Sequence, residues 1–306
     1  MEPITPWHLQ RLLVPLDGSR LAESALPAAQ ALAERFHGSV TLIHILEQRA
    51  PATVHGERHL MGAAEAASYL DGLCERFRQA GVSVAAHVHE AREGDVARSV
   101  VEHSEEFTPD LVVLCPHGRG GLRDLLFGSI AQQVLQKGSR PVLLVRPEHG
   151  GADPPPFQPE LILVPLDGEH SPDAALGAAT GLALAFDAEL HLTMVVPTPG
   201  TLSGDSSATR VLLPATTRAI LELSRQERAD YLKQAVERCK ATGVRVWAQV
   251  QRGDTVAEVL ETSERLKAGM LVMASHGRAG LDALLSGSVA PRITTRAGCP
   301  LLLVRA

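Results

Sequence analysis

Two glycine-punctuated stretches carry the residue types best suited to chemistry. Residues 114–130 read LCPHGRGGLRDLLFGSI, and residues 273–289 read MASHGRAGLDALLSGSV. Nine residues separate Gly118 from Gly128, and nine separate Gly277 from Gly287. A glycine just past a strand lets backbone approach a ligand with no Cβ in the way. A Gly-Ser pair opening the next helix presents free N–H groups to an anion, so phosphate is the natural occupant. Pro291 lies in what must be a first helical turn, which puts Ser288 at the N-cap. The hydroxyls of Ser288 and Ser129 therefore have a second reading, satisfaction of their own helix's amides.

A second pair of loops begins at VPLDGS and VPLDGE. Asp17 and Asp167 directly follow an apolar strand, where a carboxylate either accepts from a ribose hydroxyl or caps the following helix. His117 and His276 occupy matching positions but have no carboxylate at relay spacing, so structural or solvent-facing roles are expected. Arg119 and Arg278 have the reach for bidentate phosphate contacts and also fit exposed loop positions. His55 and His59 have no counterpart in the second stretch, and no metal site is expected there.

Other chemistries fail on the residues. GxxxxGK[ST] and a complete GxGxxG are both missing, which removes phosphate-loop hydrolysis and ordinary dinucleotide binding. There is no GxSxG elbow. Cys74, Cys115, Cys239 and Cys299 show no CxxC spacing and read as separate reduced thiols, not as a disulfide frame or zinc site. A net charge of -6 and 3% aromatic residues argue against nucleic acid as a partner. The apolar runs are too short to span a bilayer, and the first residues lack a basic stretch followed by an apolar one. A cytoplasmic protein without membrane contact is expected.

The elements that position these loops are written twice. RLLVPLDGSRLAESAL recurs as ELILVPLDGEHSPDAAL, and PVLLVRP recurs as PLLLVRA. The expected units are residues 1–149 and 159–306, joined by a Pro/Gly linker at 150–158. The offset between copies grows from 150 at Asp17/Asp167 to 159 at Gly118/Gly277. The extra residues fall mostly in 197–217, which reads as a surface loop. Each copy alternates five short apolar runs with four helical patterns, AESALPAAQALAERF being the first helix. Strict alternation and runs apolar on both sides predict an α/β fold with two doubly wound, parallel, five-stranded sheets.

VPLDGS, IHI in the second strand, HGR-x8-GS and the closing PVLLV together resemble the universal stress protein family in its tandem form, over nearly the whole chain. That resemblance implies strand order 3-2-1-4-5, which sets strands one and four side by side, and binding of ATP, or ADP or AMP, with or without Mg. In the second copy it implies that Pro165 and Asp167 face adenosine, that Val195 offers backbone to adenine, and that Met273 and Ala274 line the pocket. Gly277, Gly287, Ser288 and Val289 would hold phosphates. The first-copy counterparts are Pro15, Asp17, Ile45, Leu114, Gly118, Gly128, Ser129 and Ile130. Both copies depart from the family pattern at its first glycine, here Cys115 and Ala274. Cys115 followed by Pro116 is the larger departure, because proline removes a donor and restricts the residue before it. The second copy is thus the better expected site.

Three functions remain open at this level. A nucleotide-binding stress regulator with at most slow hydrolysis leads, since no lysine or general base is evident. An adenylating enzyme with residues 197–217 as a lid, and a nucleotide-free interaction module, are the alternatives. The resemblance also implies that the fifth strands pair the two copies as an internal pseudo-dimer, with room for a further homodimer.

Overall fold

The computed structural model describes residues 3–47, 53–54, 57–58, 60, 62–90, 95–116, 128–147, 156–168, 172–202, 214–275 and 289–305. The first repeat runs β1 (Arg11–Leu16), α1 (Arg20–Glu23), α2 (Leu26–Phe36), β2 (Ser39–Leu46), a small hairpin of β3 (Thr53–Val54) and β4 (Glu57–Arg58), α3 (Ala63–Gln79), β5 (Ser83–Glu90), α4 (Val96–Glu106), β6 (Leu111–Leu114), α5 (Ser129–Lys137) and β7 (Val142–Leu144). The second runs β8 (Leu161–Pro165), α6 (Pro172–Phe186), β9 (Glu189–Val196), α7 (Pro214–Lys240), β10 (Val246–Arg252), α8 (Thr255–Arg265), β11 (Met270–Ser275), α9 (Val289–Arg296) and β12 (Leu301–Arg305).

Each repeat has the expected 3-2-1-4-5 strand order, but the two sheets are continuous. The order is β10-β9-β8-β11-β12-β7-β6-β1-β2-β5, one ten-stranded sheet. Within this ten-stranded sheet, pairing is parallel inside each repeat and antiparallel where β7 meets β12 through Leu144↔Leu301, Leu143↔Leu302 and Val142↔Leu303; the β3–β4 hairpin is a separate antiparallel pair. An apolar fifth strand left at an edge would expose unpaired backbone. Edge-to-edge pairing removes both edges at once.

Side-chain alternation on the strands divides the core into two layers. Leu12 and Val14 enter one layer, with Leu32 of α2 and Leu182 of α6; Leu13 enters the other, with Val100 of α4 and Val259 of α8. Both layers draw on both repeats. Burial of each leucine contributes about 1.5–3 kcal/mol, so the repeats stabilise each other through common cores.

The first predicted helix divides into α1 and α2 around Ser24 and Ala25. Pro27 causes the break, because it has no N–H to donate and its ring crowds the carbonyl four residues earlier, that of Glu23. The second repeat's α6 has its only proline at its first position and runs unbroken. The 197–217 insertion is not loop throughout: α7 already begins at Pro214 and extends 27 residues. Residues 203–213 of that insertion lie outside the described ones.

The N-terminal segment crosses onto the second repeat. Trp7 N–H donates to Gly177 O at 2.9 Å. A Cβ on Gly181, one turn later in α6, would stand 2.2 Å from Trp7 O, so backbone approaches helix as only glycine permits.

Candidate functional site

Strands one and four are neighbours in both repeats. Leu12 and Leu13 of β1 pair with Leu111 and Val112 of β6, and Met270 and Leu271 of β11 pair with Ile162 and Leu163 of β8. Their carboxyl ends thus lie side by side in the middle of the sheet, the position beyond which open parallel sheets bind ligands.

In the first repeat Asp17 fixes the loop after β1. Its Oδ1 accepts from Ser19 N–H at 2.9 Å and from Ser19 Oγ at 2.6 Å. Ser19, in turn, is the N-cap of α1 and accepts from Ala22 N–H at 3.2 Å. Asp17 therefore supports the helix start at one remove. Gly18, at φ 87°, makes the turn between them. The Asp17 carboxylate also reaches Cys115 electrostatically: burial first, and Asp17 second, push that thiol up to about 12, against a smaller opposing effect of Arg146. Cys115 is buried and stays a neutral thiol at neutral pH.

The second repeat differs at this spot. Ala274 replaces the thiol, pairs with Val304 in β12 and is half-buried. Tyr231 of α7 has a buried hydroxyl that makes no hydrogen bond among the described residues. Its pKa is pushed up to about 12 by burial, then by the charges of Asp173 and Asp167, against Arg238. Tyr231 was not singled out in the sequence. The available signal was that the chain has two tyrosines, and each stands on the helix before its repeat's third strand. The other, Tyr69, donates to Glu23 Oε1 at 3.0 Å.

The remaining expected residues take these places. Pro15 and Pro165 lie at the ends of their first strands, paired with Ile43 and Thr193. Ile45 and Val195 lie near the ends of β2 and β9, paired with His89 and Gln251. Leu114 and Met273 are buried in β6 and β11 beside Leu144 and Leu303. Gly128 is the N-cap of α5 with no side-chain cap bond, so Ser129 is the first helical residue and not the cap. The self-capping alternative for Ser129 is thereby corrected. Ile130 is exposed, and Val289 opens α9 against the core. Gly118, Gly277, Gly287 and Ser288 lie outside the described residues, as do His117, His276, Arg119, Arg278, His55 and His59. A further group the sequence did not disclose is His87, His89 and His103, drawn together between β5 and α4.

Two tandem, doubly wound α/β units with strands one and four side by side define the class of protein. The family model for the universal stress protein family matches residues 8–146 and 160–305, and the chain belongs to that family. A universal stress protein of Mycolicibacterium smegmatis is 27% identical over 304 residues, covering 96% of both chains. One of Methanocaldococcus jannaschii is 32% identical over 146 residues, which are 47% of this chain and 81% of the relative. The crystal structure of a universal stress protein from Archaeoglobus fulgidus shares the fold over 98% of this chain and 99% of its own, with a TM-score of 0.65 at 17% identity. Among the described residues no helix is long and apolar enough to cross a membrane.

Proposed function

We propose that this chain is an adenine-nucleotide-binding regulator of the stress response, cytoplasmic, with at most slow ATP hydrolysis. The observation that supports the reading is the adjacency of strands one and four in each repeat: the strands that lead into the Asp17 and Asp167 loops run beside those that precede the glycine-punctuated stretches.

In the second repeat, Pro165, Asp167, Val195, Met273 and Ala274 take the nucleoside, and Gly277, Gly287, Ser288 and Val289 take the phosphates through main-chain amides. The first repeat offers Pro15, Asp17, Ile45, Leu114, Gly118, Gly128, Ser129 and Ile130 to the same ligand. It binds more weakly, because the neutral Cys115 side chain occupies space that Ala274 leaves free and Pro116 offers no amide. The proposed domains are 1–149 and 159–306, linked by 150–158, and they act as an internal pseudo-dimer about the β7–β12 seam.

Calorimetric titration of the purified chain with ATP tests this. One tight site is expected, lost in Gly287→Val and retained in Gly118→Val. No heat of binding with ATP, ADP or AMP, together with no nucleotide released on denaturation, would leave the interaction-module reading in its place.

A further inference from the structure

The first repeat contains three imidazoles that the nucleotide reading does not use. His87 and His89 are two residues apart on β5 and so point to the same face. His103 of α4 packs onto that face. One ring nitrogen from each lies within 4.8 Å of the other two. His87 Nε2 and His103 Nε2 are 3.2 Å apart. A tetrahedral ion with bonds of roughly 2.0–2.1 Å holds its nitrogens about 3.4 Å apart. The His87–His103 pair already has that spacing, and His89 lies within 4.8 Å of both.

The tautomer of the buried member is fixed from outside the cluster. His103 Nδ1 is 2.7 Å from Ser99 O, and a carbonyl only accepts, so that nitrogen carries the proton. Neutral His103 therefore turns an unprotonated Nε2 toward His87 and His89. A backbone carbonyl holding the far nitrogen of an imidazole is the usual support for a metal ligand. Phe107 closes one side, with ring centroids 5.1 Å from His87 and 5.4 Å from His103. His87 and His89 remain partly exposed, which gives an ion a way in.

The second repeat serves as an internal control. His87 pairs with Ile43 and Gln249 pairs with Thr193, at equivalent places in the two repeats; His89 pairs with Ile45, and Gln251 with Val195. His103 stands eight residues after the N-cap Asp95, and Thr262 stands eight after the N-cap Asp254. There the same position is satisfied without an ion, because Gln251 Nε2 donates to Thr262 Oγ1. Charge changes with it. Eleven residues after the caps stand Glu106 in the first repeat and Arg265 in the second. The fold therefore does not require three histidines here, and the first repeat adds ligands and an acidic neighbour together.

We propose that His87, His89 and His103 form a binding site for a borderline divalent transition metal of the zinc type, with a fourth position open to water. Three neutral imidazoles select this class over magnesium or calcium, which prefer oxygen ligands. On binding, His87 carries its proton on Nδ1 and gives its Nε2 lone pair to the ion.

The test uses the full chain without an affinity tag, stripped with chelator and titrated with Zn(II) by calorimetry, with Co(II) absorption as a second readout. One equivalent of Zn(II) and tetrahedral Co(II) bands are expected. The double variant His89→Gln, His103→Thr copies the second repeat and should keep the native circular dichroism while its affinity falls by more than about 100-fold. If that variant does not fold, His87→Gln is titrated instead and the same loss is expected. Wild-type chain that takes up less than half an equivalent, or variants that bind as tightly as wild type, would overturn the site. The same samples titrated with ATP report separately on the nucleotide reading, since none of the three histidines is assigned to it.

Discussion

Arg146 and Arg305 make the same contact in opposite directions. Arg146 lies just past β7 and Arg305 is the last residue of β12, and each crosses the seam to the closing helix of the other repeat. Arg146 Nη2 donates to Thr294 O of α9 at 2.7 Å. Arg305 Nη2 donates to Leu135 O of α5, and to Gly138 O at 2.7 Å. Thr294 and Leu135 are counterparts at the repeat offset of 159, as are the arginines, so the contact is self-complementary like that of a twofold dimer. A cation at a helix C-terminus meets carbonyls that have no partner within the helix.

Replacing Arg305 with Met should destabilise the chain by about 1.5–3 kcal/mol, because buried carbonyls lose charged donors. Arg146→Met should cost less, since it removes one such bond against two. Urea unfolding midpoints order the two variants, and equal, negligible effects would show that the seam rests on β7 and β12 alone.

Gly181→Ala separates helix propensity from packing. In a free helix the change stabilises by about 1 kcal/mol. Here the added Cβ would meet Trp7 O at 2.2 Å, so the N-terminal segment must lift from α6. Net destabilisation of about 1–3 kcal/mol is expected, with faster proteolysis before Leu9. A more stable variant would disprove the docking.

His191 gives stability a pH dependence. Its ring is buried, stacks on Trp247 at 3.6 Å between centroids, and makes no hydrogen bond among the described residues. Burial, then the charge of Arg265, lower its pKa from 6.5 to about 4. In that interval the unfolded chain binds the proton and the native one does not. Stability is therefore fully present above about pH 6.5 and falls as pH drops toward 4, by roughly 3 kcal/mol in all. Denaturation midpoints at pH 7 and pH 5 check the slope, and His191→Leu should flatten it.

All four thiols should resist alkylation in the native chain. Burial is the first cause of a raised pKa at Cys74, Cys115, Cys239 and Cys299. Thiolate is the reactive form, so an aromatic disulfide reagent at pH 8 should titrate well under one thiol natively and four in denaturant. Rapid native labelling located at Cys115 by peptide mapping would contradict its buried placement.

Exchanging Cys115-Pro116 for Ala-Ser copies Ala274-Ser275 into the first repeat. If the proposed nucleotide site is correct, a second ATP equivalent should appear in calorimetry. Stoichiometry unchanged from wild type would trace the difference between the sites to something other than these two residues.

The duplication, the strand and helix alternation and the loops carrying Asp17 and Asp167 were legible in the residues, because each depends on local periodicity and on where glycine and proline are tolerated. The break before Pro27 is local too, following from a missing amide, but the helical periodicity predicts one helix running through it. The His87–His89–His103 group was not legible: thirteen residues separate His89 from His103, and no ligand spacing links a strand to the helix that folds back over it. An apolar fifth strand does not name its partner by its own residues, and the pairing of the two fifth strands was expected only through the family resemblance. The antiparallel register of β7 on β12, and the reach of Arg146 and Arg305 to the other repeat's helix end, were decided by tertiary packing, since backbone groups at a sheet edge and at a helix end gain their partners only when distant parts of the chain close on each other.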